Sequence, residues 1–346
     1  MSERPRISRR RNWWVRSSDE QLLELRFCDL KLRLEGSVIE RRLHRLYEDL
    51  ERKQLRFRPH AWLSTEWFSP DGVPGIAAPF YLAHPRLAKL EKRQMLAVEG
   101  GAEHQCMRIL RHEAGHAIDT AYRLHRRKVW RELFGSFTQP YPRFYRPKPR
   151  SRDYVLHLDG WYAQAHPAED FAETFAVWLQ AGSRWRQVYR NWPAMRKLEY
   201  VDALMQEIAD EPAPVRSREQ IEPLSQITRT LGKHYRVKRM HYADEFPEFY
   251  DADLTRLFST DGRFSTRPTA ASFLRRIRPE LRDTVADWTG TPPYTIDQVL
   301  RDMIDRCREL KLRLAKPEQQ TRTEAMIMVS VQTMNFLHSG QHRVAL

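Results

Sequence analysis

The chain reads as an α+β protein rich in helix, and three observations carry that reading. Apolar residues recur at helical spacing near the amino terminus, two later stretches flank a turn signal in strand-like patterns, and long helical patterns dominate the remainder. The 346 residues, 41% of them hydrophobic, suffice for a sizeable core. At about 100–200 residues per domain, two domains are expected. With 15 Phe, 13 Tyr and 10 Trp, the chain is too aromatic for a disordered polyelectrolyte.

Residues 1–16 carry Arg4, Arg6, Arg9, Arg10, Arg11 and Arg16 without apolar periodicity and read as a flexible basic arm. From Ser18 the pattern turns helical. Leu22, Leu23, Leu25 and Phe27 open one segment, and Val38, Ile39, Leu43, Leu46, Tyr47 and Leu50 line one face of a stronger one. Between Leu55 and Leu82, RFRPHAWLSTEWF and GIAAPFYL flank Ser69-Pro70-Asp71-Gly72, which predicts a strand pair. A long helix follows over Ala102–Leu124 and a second over Pro167–Leu179. Pro167 suits the first helical position, and Glu169 and Asp170 suit the positive end of the helix dipole. The proline-rich stretch Tyr141–Tyr154 between them is a loop. Asp210–Glu219, polar and proline-bearing, predicts a boundary, so that 17–215 form one domain and 216–346 a mostly helical region. Within that region helices are expected at Ile296–Leu314 and Glu324–Leu337, and Lys233–Tyr242 alternates basic and larger residues as a strand with a charged face.

The balance of 59 Lys+Arg against 45 Asp+Glu gives a net charge of +14, which raises nucleic acid, acidic protein surfaces and anionic lipid as partners without choosing among them. Cys28, Cys106 and Cys307 are odd in number and far apart, so neither a disulfide framework nor a CxxC pair is expected, and a reducing cytoplasm is the natural compartment. No apolar run reaches the roughly 20 residues of a membrane span, and none follows the basic amino terminus as a signal would require. The expectation is a soluble, unexported protein without a membrane partner.

Chemistry concentrates in His112-Glu113-Ala114-Gly115-His116 within the first long helix. Histidines four apart lie one turn above each other, so both imidazoles can reach one metal ion, and Glu113 beside the first can contact a metal-bound water rather than the metal. The bland reading is an amphipathic helix with two solvated histidines. Ile109, Leu110, Ala117 and Ile118 surround them with apolar side chains, however, and a buried, unpaired set of imidazoles and a carboxylate is costly unless a metal compensates it.

A catalytic zinc site needs a third protein ligand and an open position. The metzincin pattern, with glycine at 119 and histidine at 122, is excluded by Asp119 and Tyr122. His125 is one candidate. The better one is downstream in HPAEDFAETFAVWL, where Glu169 and Glu173 stand four apart on an otherwise apolar helix. Glu169 is assigned to the metal and Glu173 to accepting a proton from a ligand histidine, the swapped assignment being the alternative. Asp119 is a further orienting carboxylate, or else a surface or capping residue.

HEAGHAID (His112–Asp119) followed by YAQAHPAEDFAETF (Tyr162–Phe175) resembles the gluzincin-type metalloprotease domain of anthrax lethal factor and its bacterial relatives, in which a glutamate from an E-x-F-A-E helix completes the site. The chain also resembles bacterial zinc-binding metallopeptidases, some of which carry an amino-terminal zinc ribbon whose cysteine pairs are missing here. The specific resemblance covers Arg108–Leu179. It implies a zincin-like domain with a small sheet packed on the HExxH helix, one Zn2+ per chain on His112, His116 and Glu169, and Glu113 as general base. It further implies an active-site role for Tyr162, seven residues before Glu169, whose phenol could donate to an oxyanion; the alternative is a packing residue beside Trp161. In this class a substrate strand lies along a sheet edge, for which Gly75–Leu82 is the candidate.

Tyr141–Tyr154 interleaves Tyr141, Phe144, Tyr145 and Tyr154 with Arg143, Arg146, Lys148, Arg150 and Arg152, as a lid or exosite near the cleft or as a solvated basic loop. Three functions follow. The first is a zinc peptidase acting on peptides or proteins; the second is a zinc-stabilised, non-hydrolytic scaffold or regulatory binding protein; the third is a nucleic-acid-associated protein, including a protease recruited to acidic or nucleic-acid-associated partners. An intact Glu113 favours hydrolysis, since structural zinc needs no base.

Overall fold

Local caps decide where the first helices begin. Ser18 and Gln21 form a reciprocal capping box that starts α1 (Asp19–Leu23), and the Ser37 hydroxyl caps α2 (Val38–Arg52). Ile39, Leu43, Leu46 and Leu50 form the buried stripe of α2. The structure is a computed structural model describing residues 12–142, 145, 147, 148, 150–242 and 250–339. Residues 1–11 of the expected arm, and Arg143, Phe144 and Arg146 of the basic loop, lie outside the described residues. The end of the arm departs from expectation. Trp13–Arg16 form a 3-10 turn in which Trp14 is fully buried, its indole N–H donating to the Leu30 carbonyl at 3.0 Å.

The expected strand pair is present as β1 (His60–Ser64) and β2 (Gly75–Pro79), in parallel register with His60 opposite Gly75 and Ser64 opposite Pro79. Leu63, Ile76 and Ala78 face the main core, and Trp62 and Ala77 face a smaller apolar cluster that includes Val73 and is flanked by Phe68 and Ile221. β2 ends at Pro79, and Phe80–Ala83 is a 3-10 turn. The expectation of a substrate edge on β2 fails for a physical reason. Ala77 exchanges both backbone bonds with Phe68, so alternation turns Gly75, Ala77 and Pro79 away from β1; the Gly75 N–H is taken by Val73 and Pro79 has none. No outward N–H of β2 remains for an added strand.

Two helices begin with the same device. His84 caps α3 (Pro85–Met95) and His166 caps α6 (Pro167–Leu179), each Nδ1 accepting the N–H two residues on, with proline in the first helical position. Between them run α4 (Glu103–Tyr122) and α5 (Lys128–Phe134). Arg42 pins the start of α4 by donating to the Gly100 and Gly101 carbonyls at 2.6 and 2.7 Å, and Arg111 ties it to Asp49 of α2 at 2.8 Å. α4 packs on α2, on β2 and most extensively on α6. Every residue of α6 is buried, including Glu169, Asp170, Glu173 and Thr174, so each of these polar groups must find its partner inside the protein. α7 (Trp185–Val188) and α8 (Met195–Ile208) complete this side of the core.

The boundary expected between 215 and 216 does not divide the cores, since Leu224, Leu231 and Tyr235 belong to the first. The proline-bearing stretch breaks the helix without releasing the chain. Val215 N–H donates to the Ala121 carbonyl, while His60, Trp62 and Ser64 bond the Glu219, Ile221 and Glu222 carbonyls at 2.9, 2.9 and 2.8 Å. Lys233–Tyr242 is not a strand either. It lies in α9 (Leu231–Tyr242), where Leu231, His234 and Tyr235 are buried and Lys238 continues the same face, a helical and not an alternating period.

The second core runs from Tyr250 to Val329. It comprises α10 (Asp251–Leu257), β3 (Phe258–Ser259), α11 (Ala270–Thr289), α12 (Pro293–Glu309), β4 (Arg313–Leu314) and α13 (Glu318–Ser339). The helix expected over 296–314 stops at Glu309. Lys311 takes a left-handed conformation, φ 52°, and Arg313–Leu314 turn into a two-residue antiparallel pairing with β3. α11, unforeseen in the sequence, supplies Phe273, Leu274, Ile277 and Leu281 to this core. Among the described residues no helix is long and apolar enough to cross a membrane, and the three cysteines are unpaired.

α9 is clamped to the rest by Lys238, whose ammonium lies 3.0 Å from Glu66 and 3.2 Å from Glu91 of α3. Burial holds the Glu91 carboxyl above the usual carboxylate range against the pull of Lys238. Folding therefore favours the protonated form, and this group's contribution declines as pH rises from the unfolded value, about 4.3, through the raised folded one. Removing the ammonium widens that window. Lys238→Met is expected to cost about 3 kcal/mol at pH 8 and clearly less at pH 5, read from urea unfolding at both; an equal loss at the two pH values would refute the pairing.

Candidate metal centre

α4 and α6 approach so closely that no side chain fits between them at one point. A Cβ added to Gly115 would lie 2.8 Å from the Ala172 Cα and 3.1 Å from its carbonyl oxygen. On either side of this crossing the polar residues of the two helices meet. His112 and His116, one turn apart on α4, face Glu169 and Glu173, one turn apart on α6.

Three donor atoms converge. The Nε2 atoms of His112 and His116 are 3.0 Å apart, and Glu169 Oε2 lies 3.0 Å from the first and 3.2 Å from the second. His112 Nδ1 is 2.7 Å from Glu173 Oε1, and Glu173 Oε2 accepts the Leu158 N–H at 2.7 Å. Glu173 is placed to take the Nδ1 proton, which would leave His112 Nε2 available to a metal beside Glu169 and His116. A cation resolves that arrangement, and the donor set suits zinc. In a triangle of this size each corner is about 1.8 Å from the centre, close to the roughly 2.0–2.1 Å bonds that zinc makes to histidine and carboxylate, so these three residues would hold a zinc ion. His112, His116 and Glu169 form a group able to hold a metal ion.

The electrostatics follow from burial and pairing. Burial presses the His112 and His116 imidazoles towards neutrality, but Glu169 raises both, joined at His112 by Glu173. Glu169 feels the same burial in the opposite sense and is still held well below the usual range by the two histidines. Glu113 does not join the triangle. Burial raises its carboxyl against the pull of both histidines, and its Oε2 is buried without a hydrogen-bond partner.

Tyr162 is brought to the site. Its ring centroid lies 5.6 Å from that of His112, and it follows a kink in which Gly160 and Trp161 take φ of 70° and 55°. Tyr145 holds that kink by donating to the Gly160 carbonyl at 2.7 Å, and Gly290, in the α11–α12 turn, abuts Asp159 so closely that an added Cβ would lie 2.9 Å from the Asp159 Cβ. Asp119 is not brought to the ligand atoms. It pairs with His125 Nδ1 at 2.6 Å, and the His125 ring stacks on Phe137 with centroids 4.1 Å apart, so neither the orienting role expected of Asp119 nor the ligand role considered for His125 has support. His125 follows the left-handed Arg123 that ends α4, which turns it away from the site.

Tyr141 is the residue that sequence reasoning missed. Its hydroxyl donates to Glu169 Oε1 at 2.8 Å and its ring lies on His166, centroids 3.8 Å apart at 14°. The only sequence signal was its place among aromatics between the two ligand-bearing helices.

Residues 105–190 match the model of a family described as "Putative zinc-binding metallo-peptidase". That span runs from the first turn of α4 through α7 and includes His112, Glu113, His116, Glu169 and Glu173. Comparison with curated proteins and with solved structures returns no match.

The helix crossing generates its own test. Gly115→Ala places a methyl against backbone, which costs about 1–3 kcal/mol in overpacking against a gain of about 1 kcal/mol in helix propensity. A net loss of stability on thermal unfolding, accompanied by weaker zinc retention, is expected. An unchanged melting temperature and zinc content would show that the crossing does not set the ligand spacing.

Proposed function

We propose that the chain is a zinc-dependent peptidase with a zincin-like site, binding one Zn2+ through His112, His116 and Glu169 and hydrolysing peptide bonds with Glu113 as general base. One observation carries the reading: His112 Nε2, His116 Nε2 and Glu169 Oε2 converge within 3.2 Å of one another, and the helix that carries the two histidines also buries Glu113 Oε2 without a hydrogen-bond partner. A structural zinc site has no use for that fourth group. The family match over 105–190 supports the same class.

A bound zinc ion supplies a Lewis acid that polarises the scissile carbonyl and makes water acidic near neutral pH. Glu113 takes the proton of the attacking water and delivers it to the leaving amine; its burial raises its basicity above that of an exposed carboxylate. Glu173 holds the His112 ring and its tautomer. Tyr162, whose phenol is kept protonated by burial and by Glu169, donates to the developing oxyanion. Peptides or proteins are the substrates, and the unpaired cysteines suit a cytoplasmic setting. The basic excess belongs to recruitment of an acidic or nucleic-acid-associated partner, not to the reaction.

Glu113→Gln is expected to retain zinc and lose peptide cleavage by about 10²–10⁴-fold, the share typical of a positioned base. Metal analysis and a proteome-derived peptide library read the two effects separately. Undiminished cleavage by this variant would remove the mechanism, and zinc content unaffected by Glu169→Ala would remove the ligand set.

A further inference from the structure

The two oxygens of Glu169 serve different neighbours. Oε2 faces the His112 and His116 nitrogens, and Oε1 accepts the Tyr141 hydroxyl at 2.8 Å. Tyr141 is carried by the irregular segment between α5 and α6 and is 41% exposed, whereas Glu169 is 3% exposed. The bond thus joins a solvent-side loop to a buried carboxylate.

The loop has a built seat. The Tyr141 ring stacks on His166, whose Nδ1 caps α6 and whose Nε2 lies 2.9 Å from the Gln139 carbonyl, two residues before Tyr141. The residue that starts the Glu169 helix therefore also fixes where the Tyr141 hydroxyl points.

A carboxylate can offer a metal one oxygen or both, and a charge-assisted hydrogen bond to one oxygen competes for the lone pairs a second metal bond would use. We propose that Tyr141 is a positioning residue that restricts Glu169 to a single-oxygen mode towards the metal and so keeps the remaining position free for water and substrate. With the hydroxyl removed, Oε1 is released to compete for that position. This rests on the reading of His112, His116 and Glu169 as metal ligands.

Tyr141→Phe removes the hydroxyl while keeping a ring on His166, so the fold is retained. Full-length wild type and variant, stripped and reloaded with Co2+, report coordination number through visible absorption, which is intense for four ligands and weak for five or six. The wild type is expected to show the intense band and Tyr141→Phe to lose it, a change that a purely structural loop contact would not produce. A variant spectrum superimposable on the wild type overturns the role of Tyr141. A wild type that takes up neither Co2+ nor Zn2+ overturns the metal reading beneath it.

Discussion

The closest approach of α4 and α6 governs the rest of the molecule. Gly115 and Ala172 bring the two backbones together where α4 has no room for a Cβ, and the candidate ligand residues stand one position or one turn from that point. Because α6 is buried on every side, its polar groups have no recourse to water. Glu169 meets two histidines and a tyrosine, Asp170 meets the Lys197 ammonium at 2.6 Å, Glu173 meets His112 and the Leu158 N–H, and the Thr174 hydroxyl returns to the Asp170 carbonyl at 2.7 Å. Tight packing and polar pairing thus constrain each other. A shift of the helices that relieved one would break the other.

Around this pair the protein is built to hold α4 still. Arg42 and Arg111 tie it to α2 and the loop before it, the Ser69 hydroxyl donates to the Glu113 carbonyl at 3.0 Å, and the chain after α8 returns to bond Ala121. The strap formed by Glu219, Ile221 and Glu222 covers the outer face of the two-stranded sheet, where three alternate side chains of β1 take its carbonyls. The sheet is therefore enclosed on its outer face and along β2, and it supports the site from behind. The second core touches the same region at the Gly290 turn, next to the kink that presents Tyr162.

Much of the site was legible because its logic is local. Histidines four apart, glutamates four apart and a proline at a helix start are read within a few residues, and the helices carry those groups to one face whatever surrounds them. The carboxylates on an otherwise apolar helix also announced that something must satisfy them. Elsewhere the local signal was ambiguous. Lys233–Tyr242 alternates in charge yet buries a helical stripe, Asp119 stands one turn after His116 yet pairs with His125, and the proline stretch after α8 has the composition of a linker yet is bonded to β1.

What the sequence determined by itself was which groups the candidate site can draw on: two imidazoles and three carboxylates at helical intervals. What only the tertiary structure decided was which partner each group meets. The spacing of α4 and α6, the occupation of β2 by Phe68 and the reach of Tyr141 to Glu169 all join residues distant in the chain. Periodicity records which face a residue lies on, whereas contact across elements depends on volumes and backbone paths that no single segment encodes.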